Sequence, residues 1–221
     1  MKIKQIIAFA SRQQIYDCIC EFFSNEVTPS KYVPTEEAET KMQIHFSDYM
    51  SQWHDILREV TIPKCCDIEG CGEKSWEIDE SLLIPTNIGH TFYVAGELKF
   101  HGQEMKDRKF VVEAKNDIKR MRCVYEKYID VTMTFTAFVT CDEKERDEVY
   151  QYAESLRNIR AKKITCPEKG YFAVVVRIDY IPTISPHAPK YSEHWNDWLK
   201  SVIADKKKKD YYFPQRRVQM W

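Results

Sequence analysis

Apolar positions recur with a helical period in the first part of the chain and with an alternating period through its middle. From Ser11, a capping residue type, to about Ser24, the residues Ile15, Cys18, Ile19, Phe22 and Phe23 form one stripe, which predicts a helix. Pro29 and Pro34 bracket a connection, and Thr35 then caps a longer helix. Glu36 and Glu37 occupy its first turn, where the helix dipole favours acids. Ala38, Met42, Phe46, Tyr49, Trp53, Ile56 and Val60 continue the stripe at spacings of three and four, until Pro63 ends it. The segment 64–87 is polar and reads as irregular.

From Thr91 the period falls to two. Phe92, Val94, Gly96, Leu98 and Phe100 alternate, as do Phe110, Val112 and Ala114, and together they predict a hairpin-like strand pair. Residues 117–129 fit a helix or a strand. Val131, Met133 and Phe135, separated by threonines, predict a strand. Asp142 with Glu145 makes a capping-box-like start for a helix to about Arg160, and Phe172 to Tyr180 alternate as a further strand. This strand-helix-strand run over 130–181 resembles half of a ferredoxin-like unit. After the proline-rich 182–189, Ser192 caps a short helix carrying Trp195, Trp198, Leu199, Val202 and Ile203. The expected class is α+β, with a mixed or antiparallel sheet and helices packed on it. The chain divides into a helical part (1–87), a sheet part (88–205) and a tail (206–221). No Gly/Ser linker separates the first two, so one integrated domain is an equal reading.

Composition removes several function classes. A hydrophobic fraction of 43% with 30% charged residues is that of a globular chain. Only 6 glycines, with no GxGxxG and no GxxxxGK[ST], argue against a Gly-rich phosphate loop. The six histidines show no spacing to a nucleophile, and GxSxG is absent. No apolar run approaches the roughly 18 residues of a membrane span, and the run Ile6–Ala10 is too short for a secretory core. A cytoplasmic location follows as the expectation, with the eight cysteines mostly reduced. Cys65, Cys66 and Cys71 cluster, with His54 or His90 as a conceivable fourth ligand. Without a second paired knuckle they read as structural cysteines, and no metal is assigned to them.

Two features carry chemistry. The last sixteen residues hold four Lys, two Arg and one Asp, a charge of +5, which leaves −6 for the rest of a chain whose total is −1. Lys206, Lys207, Lys208, Lys209, Arg216 and Arg217 suit phosphates, and Tyr211, Tyr212, Phe213 and Trp221 suit base stacking or a partner's surface. The leading expectation is therefore a non-catalytic accessory or assembly subunit that contacts nucleic acid through this tail. A protein-assembly component with a partner-docking tail is a further reading. The second feature is acidic. Glu97 lies in one alternating segment, and Glu113-Ala114-Lys115 closes the next. Acids on neighbouring strands hold Mg²⁺ beside a scissile phosphate, and a lysine activates water or steadies the transition state. The set resembles the PD-(D/E)XK nuclease pattern over about 90–140, although its proline-aspartate half is missing. Glu97, Glu113 and Lys115 are the catalytic candidates on that alternative, with Mg²⁺ as cofactor. Acid-x-Lys occurs eight times in the chain, and of these only Glu97 and Glu113 fall in apolar alternation.

Overall fold

The computed structural model describes residues 12–28, 37–63, 75–85, 91–102, 109–128 and 131–179. Within them four helices pack on a six-stranded mixed sheet, which is the expected α+β arrangement. Helix α1 (Arg12–Glu21) runs into a π-helical turn (Phe22–Glu26), and α2 (Ala38–Met50) follows. The strands β1 (Asp55–Pro63), β2 (Ser75–Pro85) and β3 (Thr91–His101) precede α3 (Phe110–Lys127). Then come β4 (Val131–Thr140), α4 (Glu143–Ser155), β5 (Ile159–Cys166) and, after a 3₁₀ turn, β6 (Tyr171–Ile178). The strand order is β1-β2-β3-β4-β6-β5. Only β3 and β4 pair in parallel, a geometry that requires a crossover, and α3 supplies it.

Helices cover both faces of the sheet. On one face, Ile15, Ile19, Phe22, Phe23, Met42, Phe46 and Met50 pack on Leu82, Val94, Leu98, Met133, Phe135 and Val175. The Phe22 ring stands edge-on to Phe23 and Phe46, with centroids 5.0 and 5.1 Å apart. On the other face, Ala114, Ile118, Met121 and Val124 of α3, with Val149 and Ala153 of α4, pack on Trp76, Ile78, Ala95, Phe138, Val174 and Val176. The central strands β4 and β6 are buried on both sides, which is why β6 is a nearly continuous apolar run, while β4 intersperses buried threonines among its apolar residues. Thr134 inside β4 is tolerated because its hydroxyl donates to the Met121 carbonyl (3.1 Å).

Four expectations are corrected. The helix expected to reach Val60 stops at Met50, where Ser51 and His54 donate back to Ser47 and Met50 and close a turn. Ile56 and Val60 belong to β1. A spacing of four satisfies both a helical and an alternating period, so the stripe ran on across the boundary. The segment expected to be irregular contains β2, whose polar residues Glu77, Asp79, Glu80 and Ser81 hid its alternation. Phe110, Val112 and Ala114 lie on α3 and form no strand. Phe110, Ala114, Ile118, Met121 and Val124 make the buried face, while Val112 is 58% exposed. Finally, α4 ends at Ser155 and the basic segment from Ile159 is strand β5. The Asp142 side chain caps α4 by accepting from the Lys144 N–H at 2.8 Å, but the box with Glu145 does not close, because the Asp142 N–H donates to Thr140 Oγ1 and Glu145 is engaged by Thr140 and His101.

The arrangement does not establish the ferredoxin-like unit over 130–181. β6 does insert between β4 and β5, but the other neighbour of β4 is the parallel strand β3. Cys18, Cys20, Cys141 and Cys166 are free thiols, and Cys123 is disulfide-bonded. Among the described residues, no helix is long and apolar enough to cross a membrane. Cys65, Cys66, Cys71, the expected helix after Ser192 and the whole tail lie outside the described residues.

Candidate active site at the split of the sheet

The ladder between β2 and β3 runs from Pro85↔Thr91 to Glu80↔Gly96 and stops there. Beyond that point β2 pairs only with β1, and β3 only with β4, so the sheet opens between them. Two backbone features mark the opening. Gly96 is required, because a Cβ at this position would overlap the ring of Phe135. Glu59 on β1, the residue opposite Asp79, adopts φ 52° and leaves the ladder between the pairs Arg58↔Glu80 and Val60↔Ile78.

Past the split, backbone N–H groups of β3 need acceptors that no strand provides. Two carboxylates serve instead. The Leu98 N–H donates to Asp79 Oδ2 of β2 at 2.7 Å, and the Phe100 N–H donates to Glu39 Oε2 of α2 at 3.1 Å. On the α3 side of β3 lie Glu97 and, two residues on, Lys99. Glu97 is 5% exposed. Its Oε2 pairs with Arg120 Nη2 of α3 at 2.8 Å, and the same nitrogen lies 2.8 Å from Asp117 Oδ1. The other oxygen, Glu97 Oε1, is buried and has no hydrogen-bond partner among the described residues. Lys99 Nζ reaches Glu113 Oε2 at 3.1 Å. Further along the same face of β3, His101 stacks on Phe110 and pairs with Glu145 of α4, fixing the strand end.

Among the described residues, five carboxylates (Glu39, Asp79, Glu97, Glu113 and Asp117) therefore share this opening with two cations, Lys99 and Arg120. The acids respond as crowded, desolvated groups must. Burial, then the neighbouring Asp79, hold Glu97 well above the ordinary carboxylate range against the pull of Arg120. Burial also raises Asp79 to about 7. There the Leu98 N–H opposes the shift, and Glu39 and Asp117 add to it. Asp117 rises to about 6, chiefly through burial, although Arg120 and Lys99 oppose it. For Lys99, burial favours the neutral amine, but Asp117, Glu39 and Glu113 outweigh it and keep the ammonium form.

Among the described residues, no three His, Cys, Asp or Glu side chains already stand at metal-ligand spacing. Of the sequence candidates, Glu97 sits at the centre of the opening and Glu113 at its rim, while Lys115 is elsewhere. Glu113 and Lys115 lie two apart on a helix, about 200° around its axis. Lys115 turns to α4, where it pairs with Glu148 at 2.7 Å and lies over the Tyr152 ring. The residues missed were Asp79, Lys99, Glu39, Asp117 and Arg120. Lys99 was legible, because Glu97-Leu98-Lys99 is itself an acid-x-Lys set within an alternating strand. Asp79 was hidden by the reading of its strand as irregular. No protein-family model, curated protein or solved structure matches this chain.

Proposed function

We propose that the chain is a Mg²⁺-dependent nuclease, hydrolysing a phosphodiester at the opening between β2 and β3. The observation that carries the reading is the juxtaposition of Asp79 on one strand with Glu97-Leu98-Lys99 on the next, at the point where their ladder ends. This arrangement is similar to the PD-(D/E)XK pattern with its residues reassigned. Asp79 takes the place of the lone acid, preceded by Ile78 where the pattern has proline. Lys99 takes the place given above to Lys115. The non-catalytic reading rests wholly on residues 206–221, whereas this one rests on described geometry.

The donor set fits a hard divalent cation. Such ions take carboxylate and water oxygens, and here an excess of desolvated carboxylates includes an oxygen with no partner. Asp79 and Glu97 would hold the ion, with Glu39 as the third acid. A bound Mg²⁺ supplies a water of lowered pKa and polarises the phosphoryl oxygen. Lys99, kept cationic by its neighbours, is a fixed positive charge for the phosphate as negative charge grows on it, and is no proton acceptor at neutral pH. The basic aromatic tail would add phosphate and stacking contacts without base readout, so sequence preference should be weak.

The test is cleavage of end-labelled single- and double-stranded DNA and RNA in Mg²⁺ or Mn²⁺. Glu97→Ala should lower single-turnover cleavage at least about a hundredfold, the size of loss typical for a preorganised charge. Absence of shortening in every probe, by protein that binds those probes, overturns the reading.

A further inference from the structure

Arg120 of α3 joins two of the acids at the opening. Arg120 places a single nitrogen, Nη2, at 2.8 Å from both Glu97 Oε2 of β3 and Asp117 Oδ1 of its own helix. Its side chain is 23% exposed, whereas that of Glu97 is 6% exposed, so the arginine is the more open partner of the pair although its Nε is buried. It therefore stands where a cation for Glu97 would be, beside a carboxylate oxygen that has no partner. Lys99 does not share this position, because its ammonium is held by Glu113.

We infer that Arg120 is a resident cation of the metal-free state that exchanges Glu97 for the scissile phosphate when metal binds. The inference rests on the nuclease reading. Asp117, one helical turn away at i,i+3, keeps the arginine tethered after Glu97 turns to the metal. A guanidinium presents paired donors that match two phosphate oxygens, and Arg120 is the more exposed partner of its pair with Glu97. In the loaded state Arg120 touches substrate and is a catalytic residue. In the empty state it limits the repulsion among the acids, and in doing so it competes with the metal.

The experiment is calorimetric titration of Mn²⁺ alone into the full chain at pH 8, for wild type, Arg120→Met, Glu97→Gln and the double variant. Arg120→Met should bind Mn²⁺ about tenfold more tightly, the effect of removing roughly 1.4 kcal/mol of competition. Binding should be lost in both variants that carry Glu97→Gln. At saturating Mn²⁺, single-turnover cleavage by Arg120→Met should nonetheless be slower than wild type. A readout on the wild type guards against a variant that folds poorly. The Arg120 side-chain N–H resonance, assigned by its loss in Arg120→Lys, should shift as Mg²⁺ is added. If binding depends on Glu97 but Arg120→Met binds equally or more weakly and the resonance stays put, the exchange is overturned and the metal site stands. If no chain shows Glu97-dependent binding, the exchange and the nuclease reading both fall.

Discussion

Asp79→Asn separates the cost of this site from its use. The amide keeps an oxygen to accept the Leu98 N–H, now at 2.7 Å from the Asp79 carboxylate, and removes only the charge. A carboxylate whose folded pKa lies above its unfolded value binds more protons folded than unfolded between those two values. Stability therefore falls as pH rises through that window and stays low above it. For Asp79 the window runs from 3.8 to about 7. At about 1.4 kcal/mol per pKa unit, the full loss is at most about 4 kcal/mol. Asp79 is partly open to solvent, and its shift is shared with Glu97, so roughly half of that figure is the better expectation.

Asp79→Asn should then raise stability at pH 8 in EDTA by about 2 kcal/mol, or about 4–8 °C in Tm for a chain of this size. At pH 4 the two proteins should melt together. Added Mg²⁺ should raise the Tm of the wild type at pH 8 and leave the variant unmoved, because ligand binding to the folded state alone stabilises it. Differential scanning calorimetry at both pH values, with EDTA or Mg²⁺, reads all of this. A variant that melts at or below wild type at pH 8 in EDTA would refute the reasoning. It would mean that the charged bond to Leu98 outweighs the crowding, and that the acids are a settled structural network.

Other perturbations probe the remaining parts. Lys99→Met should reduce single-turnover cleavage about a hundredfold, while Lys115→Met, which breaks the pair with Glu148 and the contact with the Tyr152 ring, should stay within about twofold of wild type. The opposite ranking would restore the Glu113-Lys115 assignment. Gly96→Ala drives a methyl into the Phe135 ring and should cost about 1–3 kcal/mol in urea unfolding, with partial recovery in Gly96→Ala/Phe135→Leu. An unchanged midpoint would show that the ring does not need the bare backbone. A chain stopped after Asp205 should bind double-stranded DNA with a log affinity–log salt slope shallower by up to about 5, from the six lost cations. An unchanged slope would remove the tail from the interface.

The sequence carried the class of the fold more clearly than the site. Buried faces that obey one period, as in α1, β4 and β6, were readable because nothing else shares their spacing. Boundaries failed where a spacing of four serves both periods, which let α2 run on into β1. The site failed for a related reason. β2 contains Asp79, Glu80 and Ser81 in succession, so the strand that supplies the lone acid breaks the pattern by which strands are recognised. Glu80 departs from the pattern because it is buried and receives the Ser47 hydroxyl, and Asp79 because it faces the opening. Glu39 and Arg120 belong to no motif: Glu39 reaches β3 from α2 at the Phe100 N–H, and Arg120 meets Glu97 because α3 crosses over between the parallel strands β3 and β4. No reading of spacing along the chain brings residues 39, 79, 97 and 120 together.

A more exposed ion-pair network elsewhere in the same molecule offers a contrast to this buried group. On α4, Arg146 bonds Glu143 and Asp147 at 2.8 and 2.7 Å, and Lys163 of β5 joins Asp147 at 2.9 Å. There the acid Asp147 is held below its ordinary pKa by the hydrogen bonds from Lys163 and Arg146, as expected of charges arranged to satisfy one another. At the split the direction reverses, with Asp79, Glu97 and Asp117 all raised. A network selected only for stability would carry as many cations as acids, or would replace the acids with apolar groups of similar volume, which is often the more stable solution. Among the described residues, five acids here meet two cations, one acid oxygen has no partner, and the acids gather where the β2–β3 ladder has ended. This excess of acids is what the proposed divalent cation would use, by displacing the protons that burial favours on Asp79 and Glu97.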